Sequence, residues 1–105
     1  MNDLDRSFQA LAHPGRRAIV ARLAGGDASV GEATAGLGLS KPAVSKHVKL
    51  LEHAGLVRRT VEGRRHVLRL DGDAMAEAAR WLDRHRAVWE AKLDEVERFL
   101  AEGHP

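Results

Sequence analysis

Residues 39–57 read LSKPAVSKHVKLLEHAGLV. Ser40 stands where a helix N-cap belongs, Pro42 lies in the first turn, and Gly55 follows the last periodic residue. The pattern predicts a helix over about 41–54. At roughly 100° per residue, Val44, Val48 and Leu51 fall on one side. The other side shows Pro42, Ser45, Lys46, Lys49 and His53, with Lys41 just before them and Glu52 the only acid of the stretch. Such a helix docks through one face and offers cations and short polar groups on the other.

The flanking segments give that helix its setting. Ser29 and Glu32 have the spacing of a capping box. They predict a short helix from Val30 that presents Val30, Ala33 and Leu37 inward, and Gly38-Leu39-Ser40 is the turn. Two short helices across a tight turn suggest helix-turn-helix. Residues 57–70, VRRTVEGRRHVLRL, hold two basic, β-branched runs around Glu62-Gly63 and predict a β-hairpin. Val57, Leu68 and Leu70 would anchor its base, with Arg64 and Arg65 at the tip.

Leu4, Phe8 and Leu11 predict a first helix near 3–12. Pro14 disfavours helical dihedrals at His13 and breaks it. A second helix over about 14–24 buries Ile19, Val20 and Leu23 before Gly25-Gly26. From Asp73 to about Ala101 the pattern is helical throughout. Met75, Ala79, Leu82, Arg86, Trp89, Leu93, Val96 and Leu100 form a heptad seam that Arg86 interrupts, and Trp81, Val88 and Phe99 widen it. That stripe wants a partner. Trp81 and Trp89 read as dimer core in preference to a ligand pocket.

The chain of 105 residues reads as one domain, 1–105, with no repeat or long linker. Aromatic residues make up 4%, so the core is thin and built from Ala, Val and Leu. No cysteine is present, which removes disulfides and thiolate metal sites. No apolar run approaches the roughly 20 residues of a membrane span, and MNDLDRSF lacks a signal-peptide core. The expectation is a cytoplasmic protein with no membrane partner. No nucleophilic cysteine, phosphate loop or paired carboxylates in an evident cleft suggests an enzyme.

Charge is distributed unevenly. Residues 39–70 hold eight basic and two acidic side chains, whereas 1–38 are balanced and 71–105 are acidic. A lysine pattern alone usually means a solvated face. Helix-turn-helix spacing followed directly by a basic hairpin instead points to duplex DNA. A major groove admits one helix and displays base-edge acceptors between phosphate rows. His47, at the flank of the lysine face, reads first as a half-buried residue that orients the helix and second as a phosphate contact.

Three segments carry a resemblance: LAHPGRRAIVARL (11–23), SVGEATAGLGLSKPAVSKHVKLLEHAGLV (29–57) and RRTVEGRRHVLRL (58–70). Together they are similar to the winged-helix repressors of the arsenic-repressor (ArsR/SmtB) type. The resemblance implies a mainly helical winged helix-turn-helix with a β-hairpin wing over about 57–70, dimerising through its first and last helices. It implies a recognition helix at Ser40–Val57 and a homodimeric repressor on a pseudo-palindromic operator, its own promoter among the candidate targets. The DNA-binding set is then Ser40, Lys41, Pro42, Ala43, Ser45, Lys46, His47, Lys49, Arg64 and Arg65. The dimer set is Leu4, Phe8, Trp81, Leu82, Trp89, Leu93 and Val96.

Two departures stand out. Ala33 occupies a position where that family usually has leucine, with Gly36 expected in the same helix, and the helix from Val30 lacks the thiolates of metal-sensing members. Asp83 and His85 imitate half of a zinc site on the last helix, but Glu95 and Glu97 are the only candidates to complete it. His13, His53, His66 and His104 show no ligand spacing. No metal and no cofactor are expected. A ligand- or metal-responsive derepressor and a winged-helix protein–protein module remain the alternative readings.

Overall fold

The computed structural model describes residues 3–103, so His104 and both ends of the 1–105 unit lie outside the described residues. The element order is α1 (Asp3–Ala10), α2 (Pro14–Leu23), β1 (Ala28–Ser29), α3 (Val30–Thr34), α4 (Lys41–His53), β2 (Val57–Glu62), β3 (Arg65–Leu70) and α5 (Gly72–Ala101). This is a mainly helical winged helix-turn-helix. Pro14 sets the first boundary. His13 before it is extended (φ −115°, ψ 132°), and its Nδ1 accepts the Gly15 amide at 2.9 Å, so His13 caps α2. α1 accordingly stops at Ala10, two residues before the expected end.

The capping box forms as expected. Ser29 Oγ accepts the Glu32 amide at 3.1 Å, and Glu32 Oε1 accepts the Ser29 amide at 3.0 Å. α3 closes at Thr34, however, leaving Gly36 outside it with φ 74° and Gly38 with φ 69°. Gly36 therefore serves the turn and does not weaken the helix, because only glycine takes those dihedrals without strain. Ala33 is fully buried; Val30 and Leu37 pack on the core from its margin.

A third strand, β1, was not foreseen. It pairs antiparallel with β3 (Ala28↔Leu68, Ser29↔Val67), giving sheet order β1-β3-β2. In the hairpin Glu62 pairs with Arg65, so Gly63 (φ 62°) and Arg64 form the turn, one residue later than the expected Glu62-Gly63. The core joins Ile19 of α2, Val48 and Leu51 of α4, Leu56, and Leu68 of β3, all essentially inaccessible to solvent. Each such side chain contributes about 1.5–3 kcal/mol by burial.

α5 begins at Gly72 because Asp71 caps it, its Oδ1 accepting the Asp73 amide at 3.0 Å. Ala74, Met75 and the buried Ala78 close its first turns on the body, whereas Ala79, the expected seam residue, is exposed. Phe8 and Trp81 meet edge to face at 5.7 Å. Beyond them the helix projects from the body: Leu82, Val88, Trp89, Leu93, Val96, Phe99 and Leu100 are between 49% and 69% exposed. The radius of gyration, 17.8 Å, exceeds the roughly 13 Å of a compact chain this long, and this projecting rod accounts for the excess.

Candidate nucleic-acid interface

Ser40 takes an extended conformation, and its Oγ accepts the Ala43 amide at 3.3 Å, so the hydroxyl starts α4. Val48 and Leu51 hold the helix to the core. Lys41, Pro42, Ser45, Lys46, Lys49 and His53 are exposed, and Ala43 is half-buried. The helix wheel thus sorts this face correctly.

Of the two readings of His47, the structure favours the first, a residue that orients the helix, over the phosphate contact that placed it in the DNA-binding set. It is 7% exposed, its ring lies 4.4 Å from that of His13, and its Nδ1 is 3.2 Å from Arg16 Nη1. Burial, then the electrostatic influence of His13, Arg16 and Lys46, lowers its pKa below the ordinary histidine value. A neutral ring facing a guanidinium accepts at Nδ1 and carries its proton on Nε2. Arg16 in turn donates to the carbonyls of Ala10 (2.6 Å) and Gln9 (3.2 Å). The histidine ties α4 to α2 and stands behind the lysine face.

The basic side chains of residues 39–70 divide into two groups. Arg58 Nε lies 2.8 Å from Asp71, Arg59 Nη2 2.6 Å from Glu52, Arg65 Nη2 2.7 Å from Glu32, and Arg69 Nη2 2.9 Å from Asp27. Lys41, Lys46, Lys49 and Arg64 form no ion pair among the described residues. Three of the four carboxylates come from outside the basic segment. Arg65 also sits in β3 and not at the tip, since the turn comes one residue later. The carboxylates register their partners: the capping bonds from Ser29 and then the Arg65 charge hold Glu32 below the usual carboxylate range. The Arg58 hydrogen bond does the same for Asp71, and Asp27 pushes Arg69 upward.

Sequence reasoning gave Arg59 no role. Its guanidinium spans Glu52 and His66 (Nη1 to Nδ1, 3.3 Å) and borders a recess with Lys41 and Ser45. Those neighbours come from separate elements, so no local pattern announces them. On α5, Asp83 accepts from Arg86 at 2.6 Å, while His85 stacks on Trp81 at 4.2 Å with its Nδ1 2.8 Å from the Trp81 carbonyl. Both side chains are engaged within their own helix.

This geometry can be set beside known proteins. Residues 11–60 match the family described as "Helix-turn-helix domain". The chain is 49% identical over 80 residues to the HTH-type transcriptional regulator Rv2034 of Mycobacterium tuberculosis, covering 76% of this chain and 75% of that one. It aligns with a solved ArsR family transcriptional regulator, RHA00566, at TM-score 0.77 and 32% identity, over 85% of this chain and 98% of the other. The chain belongs to the ArsR family of transcriptional regulators. The transcriptional repressor SdpR of Bacillus subtilis is 27% identical over 75% of this chain and 88% of its own. The homodimeric winged helix-turn-helix DNA-binding domain of Mb0332 from Mycobacterium bovis matches at TM-score 0.62 and 27% identity, over 89% of this chain and 83% of that one. As an ArsR family regulator, this chain has a DNA-binding fold and a role in transcription. No helix among the described residues is long and apolar enough to cross a membrane.

Proposed function

We propose that this ArsR family member is a homodimeric repressor that seats two copies of α4 in successive major grooves of a pseudo-palindromic operator. The observation that carries the reading is the set of four cations, Lys41, Lys46, Lys49 and Arg64, left without carboxylates beside the exposed Ser45. Duplex DNA supplies what they lack, and phosphate contact releases counterions. The repressor names of relatives support the direction of control, by occlusion of a promoter. No metal or cofactor takes part in this reading.

The exposed stripe of α5 supports the dimer. A lone helix with Trp89, Leu93 and Val96 more than half exposed leaves an apolar surface that a symmetric copy would cover. The two-fold would then set the recognition helices about 34 Å apart, one turn of the duplex.

A gel-shift series on promoter DNA across salt concentrations tests the interface. Four cations per subunit, doubled in the dimer, predict a log–log slope of up to about −7. A slope near zero would refute it. For the assembly, Trp89→Glu places a charge in the stripe and should shift sedimentation to monomer at micromolar concentration; an intact dimer would remove Trp89 from the interface.

A further inference from the structure

Between α1, the α1–α2 turn and the end of α4 lies a recess of about 330 Å³, on the side of α1 away from α5. Its floor is apolar: Ala10, Ala12, Leu50 and Ala54. Its polar groups are cationic or neutral, with Arg6, Arg16 and His53 on the wall and no carboxylate. Arg16 directs its hydrogen bonds to two backbone carbonyls and to His47, and its charge meets no anion among the described residues. Among the described residues Arg6 has only a long contact with Asp3, 3.5 Å, and its side chain is half exposed. The one acid of α4, Glu52, is drawn away to Arg59.

We propose that this recess binds a small amphipathic carboxylate, hydrocarbon on the alanine and leucine floor and carboxylate on Arg6, and that its occupant weakens DNA binding. The volume falls within the range of small-molecule pockets, and a few polar groups on an apolar lining fix orientation. Arginine suits the headgroup because its planar fork matches a carboxylate. The coupling is steric and electrostatic. Leu50 and His53 line both this recess and the shallow groove beside Lys46 and Lys49. An occupant therefore presses on α4 from behind and adds a negative charge next to the lysine face. This regulatory half rests on the proposed DNA-binding reading; the binding half does not.

The test titrates the free full-length protein with octanoate, reading backbone amide signals by NMR, with octylamine as the charge-reversed control. The expected result is saturable shifts at Ala12, Leu50 and Ala54 with octanoate and none with octylamine. Arg6→Gln should weaken binding about tenfold, the effect of one charge-assisted hydrogen bond. Ala12→Phe, at an exposed position that folding tolerates, should block the recess. Equal binding of octylamine, unchanged affinity in both variants, shifts confined to α5, or no saturable response would each overturn the site. A gel shift with saturating octanoate then reads the coupling; occupancy without loss of DNA affinity would overturn the regulatory half alone.

Discussion

Among the described residues the three lysines of α4 stand without carboxylates, whereas four of the hairpin's five arginines are each held by one. Both regions are basic in sequence, yet they meet a polyanion differently. A free lysine brings its whole charge to a phosphate and releases a counterion. A paired arginine exchanges one anion for another, and because exposed pairs are worth only about 0–1 kcal/mol, the exchange is close to neutral. The pairs do something else: Arg58–Asp71, Arg65–Glu32 and Arg69–Asp27 tie the hairpin to the N-cap of α5, to α3 and to the residue before β1. On the proposed reading, affinity falls to α4 and placement to the hairpin.

Substitutions can break that division. Lys46→Ala with Lys49→Ala should reduce operator affinity at least about a hundredfold and flatten the salt slope by about four, since each loss would count twice in the proposed dimer. Circular dichroism should report an unchanged fold. Arg64→Ala, at the hairpin's one arginine without an ion pair among the described residues, should cost about tenfold and reduce the slope by about two; Arg65→Ala should cost clearly less. If Arg65 proved equal to the lysine pair, the contrast between free and paired cations would fail.

Smaller effects sharpen the comparison. Glu32→Gln keeps a capping side chain at the third helical position while releasing Arg65 and removing a negative charge. Binding should tighten about two- to threefold in fluorescence anisotropy; weaker binding would mean that the Arg65–Glu32 pair positions the hairpin. His47 supplies the smallest effect. Its folded pKa lies below the ordinary value near 6.5, so the unfolded chain takes up a proton first. Its contribution is therefore complete above about pH 6.5, falls as pH drops through that value, and levels off below the folded pKa. Urea melts in this range should show a flatter pH dependence for His47→Gln than for the parent. Glu32 and Asp71, held low, add their losses only at more acidic pH, in the carboxylate range.

Much of the fold was legible because its signals are local. Ser29 with Glu32, Ser40 with Pro42, and Pro14 after His13 each mark a helix start through hydrogen bonds or sterics spanning a few residues. The exposed lysine face followed from period alone. Other features depended on distant partners. β1 is only two residues long and exists because β3 pairs with it, so no run of strand formers announced it. His47 shares the helix with Lys46 and Lys49, yet His13 and Arg16 across the α2–α4 contact draw it inward. Arg65 was expected at the hairpin tip, and a one-residue shift of the turn put it opposite Glu62 and beside Glu32.

The chain by itself determined the order of helices, the winged helix-turn-helix, the lysine face and the long apolar stripe, because capping, periodicity and steric breaks act over a few residues. Only the tertiary structure decided which cations remain free. Charge neutralisation acts through space, and Asp27, Glu32 and Asp71, lying outside the basic segment, reach into it once the chain is folded.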